Sequence, residues 1–181
     1  MNTKAISERL AALKVRCIVV VDDAEENLEA IRQVAANFPE INWIFLDNGA
    51  AAIDFIQENH RKIDFLITDR QMETPDAGIE VLGQAYHFFI PSIIVSGGFQ
   101  HAGKSQTRIF PRDINDLPDG MLKDNPDSWL MILERIAEAL DFTPQNSHLL
   151  LATRFVYRRN GKGPINFDKD MMKLARCFLD R

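Results

Sequence analysis

Two short apolar runs stop abruptly on aspartate: CIVVVDD, in which Ile18 to Val21 are all β-branched, and IDFLITD, which ends on Asp69. A strand with one wet face alternates apolar and polar residues, whereas a strand covered on both faces reads as an unbroken apolar run. Chains with strands of the second kind need helices above and below the sheet. The intervening segments supply them. Residues 25–37 space Leu28, Ile31, Val34 and Ala35 helically before Pro39, and residues 50–59 do the same with Ile53, Phe55 and Ile56. Ile41 to Leu46 reads as a strand between them. A helix is expected around Ile79 to Tyr86, a strand at PSIIVSGG, a short strand at GMLK, and a helix from Asp127 to Leu140 with Trp129, Ile132, Leu133, Ile136 and Leu140 on one side. Ahead of the first strand, Ile6, Leu10 and Leu13 mark a leading helix.

Strands alternating with helices imply crossover connections and parallel pairing. The expected fold is therefore α/β, a doubly wound five-stranded parallel sheet of flavodoxin-like order with N-terminal and C-terminal helical extensions. With 181 residues and 46% hydrophobic content, the chain suits one substantial core plus appendages. The expected division is an N-terminal helix at 1–15, a core domain at 16–141 and an extension at 142–181.

In such sheets, ligands gather outside the carboxyl ends of the strands, where strand order reverses. Those ends carry Asp22 and Asp23, then Asp69, Ser96 and Lys123. Three clustered carboxylates repel one another unless a cation intervenes, and an all-oxygen donor set suits a hard ion such as Mg²⁺. A carboxylate held in this way can attack phosphorus, provided the oxygens of the transferring group are stabilised. Lys123 and Ser96 supply that stabilisation, and Gly97 and Gly98 leave backbone amides accessible. Singly, each acid could equally end a strand or cap a helix. The conjunction is what points to chemistry.

From about Cys17 to Leu140 the sequence resembles the receiver domain of bacterial response regulators, the CheY-like family. The resemblance rests on IVVVDDAEENLEAI, DFLITDRQMETPDAGIEVL, IIVSGG and GMLKDN. It implies that Asp22 and Asp23 are an acidic metal-binding pair, Asp69 the phosphoacceptor, and Gln71 the residue whose backbone carbonyl completes a Mg²⁺ shell. It likewise implies that Ser96 and Lys123 contact the phosphoryl group. Met72 and Gly78 also fit, although TPDAG carries one residue more than the family pattern. As partners the resemblance implies a histidine kinase or phosphotransfer protein, and an output protein not identifiable from the sequence.

Three departures fall in the part of the family's fold that reports phosphorylation. The stretch between Ser96 and Lys123 is long and lacks helical period, Gly120 stands where many receivers have an aromatic residue, and Asp124 follows the lysine where proline is usual. His101, Lys104, Arg108 and Arg112, interleaved with Phe99 and Phe110, lie in this stretch. So sparse a set of cations fits a solvated partner-docking loop better than a nucleic-acid site. The net charge of −5 also argues against a protein that lives by gripping phosphate backbones. After Leu140, FTPQNS marks a boundary. HLLLATRFVYRR and the later stripe of Met171, Leu174, Ala175, Phe178 and Leu179 are expected to cover the domain or a second copy of it.

Cys17 and Cys177 are too far apart in sequence to form a redox or metal motif, and isolated thiols fit a reducing cytoplasm. His60, His87, His101 and His148 show no ligand spacing. No run approaches the roughly 20 apolar residues that cross a bilayer, and MNTKAISERLAALK is amphipathic where a signal peptide would be continuously apolar. A cytoplasmic response regulator that modifies only itself is the leading expectation. The alternatives are an interaction module of the same fold that does not cycle phosphate, and a Mg²⁺-dependent phosphohydrolase, for which VDDAEEN lacks the usual DxD spacing.

Overall fold

The first apolar run forms β1 (Cys17–Val21), every residue of which is buried. In the computed structural model, which describes residues 2–88, 90–95 and 122–140, it is a central strand with a neighbour on each side. Among the described residues the elements follow in the order α1 (Thr3–Ala12), β1, α2 (Glu25–Ala35), β2 (Asn42–Leu46), α3 (Gly49–Asn59), β3 (Phe65–Thr68), α4 (Ala77–His87), β4 (Ser92–Ile94) and α5 (Pro126–Leu140), with a 3-10 turn at His60–Lys62. The strands pair in parallel in the order β2-β1-β3-β4. The chain is thus α/β, with a four-stranded parallel sheet among the described residues.

Burial on both faces is visible in the alternation along each strand. Ile18 and Val20 of β1, Phe65 and Ile67 of β3, and Ile93 of β4 join one apolar cluster with Ile6 and Leu10 of α1, Leu28, Ile31 and Val34 of α2, and Trp129, Ile132, Leu133 and Ile136 of α5. Val19, Val21, Leu66 and Ile94 point the other way, into a second cluster with Ala52 and Ile56 of α3 and Val81, Leu82 and Ala85 of α4. Helices therefore cover both sides of the sheet, as the unbroken runs required. The leading helix is capped by the side chain of Asn2 and lies on the α2–α5 face, where Leu13 packs from just beyond its end.

Register fixes where the polar strand ends fall. Val21 is level with Leu46 on one side and Thr68 on the other, and Thr68 is level with Ile94. The ladder runs one step further: Asp22 N–H donates to Leu46 O at 3.1 Å, Asp69 N–H to Val21 O at 2.8 Å, and Val95 N–H to Thr68 O at 2.9 Å. Asp22 and Asp69 are consequently neighbours at the same edge, between the strands where the order reverses.

Of the expected fifth strand, Gly120 and Met121 lie outside the described residues, and Lys123 occupies a turn in which Asn125 N–H donates to Leu122 O at 3.1 Å. Residues 96–121 and 141–181 lie outside them as well. They include Ser96, Gly97, Gly98, the stretch with Phe99, His101, Lys104, Arg108, Phe110 and Arg112, Cys177 and both C-terminal stripes. No helix among the described residues is long and apolar enough to cross a membrane.

Candidate metal and phosphoryl-transfer site

At the carboxyl edge, ligand oxygens of Asp22, Asp23 and Asp69 lie within 4.8 Å of one another. Asp22 is 2% exposed. Its Oδ1 accepts from Ala24 N–H at 3.1 Å and from Asn27 Nδ2 at 2.9 Å, and these bonds turn the chain into α2. Its Oδ2 accepts from Lys123 Nζ at 2.5 Å. The structural role of an acid at a helix entrance and its role in the cluster are therefore filled by one side chain, through different oxygens. Asp23 is exposed.

Lys123 Nζ also lies 3.0 Å from Asp69 Oδ1, and the side chains of both are about nine-tenths buried, at 10% and 11% exposure. One ammonium set against three carboxylates leaves an excess of negative charge in a confined space. A divalent cation among the carboxylate oxygens would offset it, and an all-oxygen donor set is what hard cations take. The three acids could hold such an ion.

Burial pushes the Asp69 carboxyl above its ordinary range, because the charged form loses solvation. The Lys123 ammonium and its hydrogen bond draw it part of the way back. The charge of Asp22 pushes it up again, and the Arg70 N–H pulls it down. A largely buried carboxylate paired with an ammonium is suited to nucleophilic work.

The loop after β3 is braced from several sides. Glu73 accepts from Gly49 N–H and Ala50 N–H at the start of α3, each at 3.0 Å, while Asn48 caps the same helix through Ala51 N–H at 2.7 Å. Those bonds from the α3 amides, Gly49 first, hold the Glu73 carboxyl below its usual range. Arg70 Nη2 lies 3.9 Å from Asp76, and Met72 packs against the α3–α4 cluster as a partly buried plug. Gly78 N–H donates to Arg70 O at 3.0 Å. A β-carbon on Gly78 would fall 1.8 Å from the carbonyl oxygen of Asp69, so α4 approaches the Asp69 peptide as closely as glycine allows.

Of the residues expected at the site, the structure brings together Asp22, Asp23, Asp69 and Lys123. Gln71 lies in the braced loop and is exposed. Ser96 lies outside the described residues. Three contributors were not assigned to the site from the sequence: Asn27, Glu73 and Trp129, whose indole N–H donates to Lys123 O at 2.5 Å. Asn27 sits five residues past Asp22, a separation that becomes a contact only once the strand has turned into the helix. Comparison of the chain with family models, with curated proteins and with solved structures found no match.

Proposed function

We propose that the chain is a response-regulator receiver that accepts a phosphoryl group on Asp69. The single observation that carries this reading is the joint engagement of Asp22 and Asp69 by the buried Lys123 ammonium, beside a triad of acids close enough to share one cation. In this reading the sheet continues to a fifth strand in flavodoxin-like order, residues 16–141 are the receiver, and residues 142–181 pack on it or on a second copy. The protein is read as cytoplasmic. Its donor is a histidine kinase or phosphotransfer protein, and its output passes through residues 97–122 or the C-terminal tail.

The reaction is a displacement at phosphorus. An Asp69 oxygen forms the new P–O bond as the donor's P–N bond breaks, and the departing imidazole takes a proton from solvent. Lys123, already 3.0 Å from Asp69 Oδ1, stabilises charge on the transferring group, and Ser96 is the expected hydroxyl partner. Mg²⁺, when held by Asp22, Asp23, Asp69 and the Gln71 carbonyl, would neutralise phosphoryl oxygens. Asp22 holds Lys123 through Oδ2 while its Oδ1 is committed to α2.

The test is intact mass after incubation with acetyl phosphate, with and without Mg²⁺, for the chain and for Asp69→Asn. One added phosphoryl group, dependent on Mg²⁺ and absent from Asp69→Asn, is the expected result. No adduct on folded protein would leave the interaction-module reading ahead. Steady release of phosphate from the donor without a labelled chain would favour the hydrolase.

A further inference from the structure

Lys123 is carried neither by a strand nor by a helix. Its turn begins at Leu122, whose side chain is 63% exposed and cannot anchor the backbone by burial. Local bonds shape the segment that follows: Asp127 N–H donates to Asn125 Oδ1 at 3.0 Å, and Ser128 N–H to Asn125 O at 3.0 Å. None of these reaches the core. Among the described residues the backbone link that does is Trp129, at 1% exposure among the largest fully buried side chains, whose Nε1–H donates to the carbonyl of Lys123 itself. Its ring sits in the cluster formed by α1, α2, α5 and one face of the sheet, where close packing leaves a large aromatic little room to shift.

We infer that Trp129 is the positioning residue for Lys123: the indole clamps the lysine backbone to the core so that its ammonium meets Asp22 and Asp69 together. A lysine head group rides on a flexible four-carbon stem, so the placement of its charge depends on how firmly the stem's root is held. Displacement of a catalytic group by about 1 Å can cost orders of magnitude in rate. This inference deepens the receiver reading and rests on it for the rate of phosphoryl transfer. The clamp itself can be tested without a phosphodonor.

The experiment compares the full chain with Trp129→Phe, which keeps most of the buried ring and removes the donor. Lysine acetylation by acetic anhydride, read by mass spectrometry, should rise about fivefold at Lys123, the factor that corresponds to one ordinary hydrogen bond. The exposed Lys4 and Lys62 should be unchanged. Adduct formation from acetyl phosphate should slow by a similar factor. Unchanged labelling at Lys123 overturns the clamp, as does labelling that rises at every lysine alike. Raised labelling at Lys123 with an unaltered adduct rate overturns its role in positioning. An unmodified chain that forms no adduct overturns the receiver reading instead and leaves the labelling result to judge the clamp. Should Trp129→Phe fail to fold, the indole signals of the unmodified chain offer a second arm by NMR. The Trp129 indole proton, held on the Lys123 carbonyl, should lie downfield of a free indole proton, and a shift equal to that of a free indole overturns the inference.

Discussion

Asp69 carries two opposed demands, since burial disfavours its charge while Lys123 favours it, and burial is the larger effect. Its folded-state pKa is therefore above the unfolded value, so the native state holds the proton more tightly. Without metal, this group's contribution to stability falls as pH rises from the ordinary aspartate range through the raised value. Urea midpoints measured across that window should show Asp69→Asn losing this part of the slope and exceeding the unmodified chain in stability at neutral pH. Lys123→Ala acts the other way. It strips the ammonium from two largely buried carboxylates and should cost about 3 kcal/mol or more in metal-free urea unfolding. An unchanged midpoint would contradict the ion-pair geometry. Asp22, Asp23, Asp69 and Lys123 were legible in the sequence because each follows an apolar run or a recognisable motif. Trp129 was legible only as a core residue, because helical spacing reports which face of the helix is buried and nothing about the indole nitrogen.

Two short devices at the element scale hold the loop after β3 in place. The first is the close approach of α4 to the Asp69 peptide. Gly78→Ala should destabilise the chain by about 2 kcal/mol or more through overpacking, because a β-carbon 1.8 Å from backbone oxygen cannot be relieved by rotating a side chain. A denaturant midpoint equal to that of the unmodified chain would contradict the approach. The second device is the Glu73 carboxylate on the first amides of α3. Its lowered pKa means stability that is present above the ordinary glutamate range and lost as pH falls through the folded value. Glu73→Gln should be less stable than the unmodified chain at neutral pH and converge with it at low pH, as followed by thermal melts. A constant gap across that range would assign the difference to something other than the charge. Strand and helix identities were readable because unbroken apolar runs and helical spacing are both strong signals. The Glu73 bridge was not, since it joins two connections that only the sheet brings together.

At the scale of the whole molecule, the parallel order β2-β1-β3-β4 follows from apolar runs alternating with amphipathic helices. Their level ends put the acids on one edge. The sequence indicated this much because burial on both faces leaves few other arrangements for such runs. The fifth strand was less legible: GMLK is too short to distinguish a strand from the turn in which Lys123 is found. The segment between Ser96 and Lys123 shows no period from which to argue. The central claim is that Asp69, among all the acids at this edge, becomes the acyl phosphate. The direct measurement is reductive trapping: treat the chain with acetyl phosphate and Mg²⁺, reduce with borohydride, and locate by peptide mass spectrometry the aspartate converted to homoserine. Conversion at residue 69 alone, dependent on both donor and Mg²⁺, is the predicted result. Conversion at another acid, or at none in folded protein, would contradict the account.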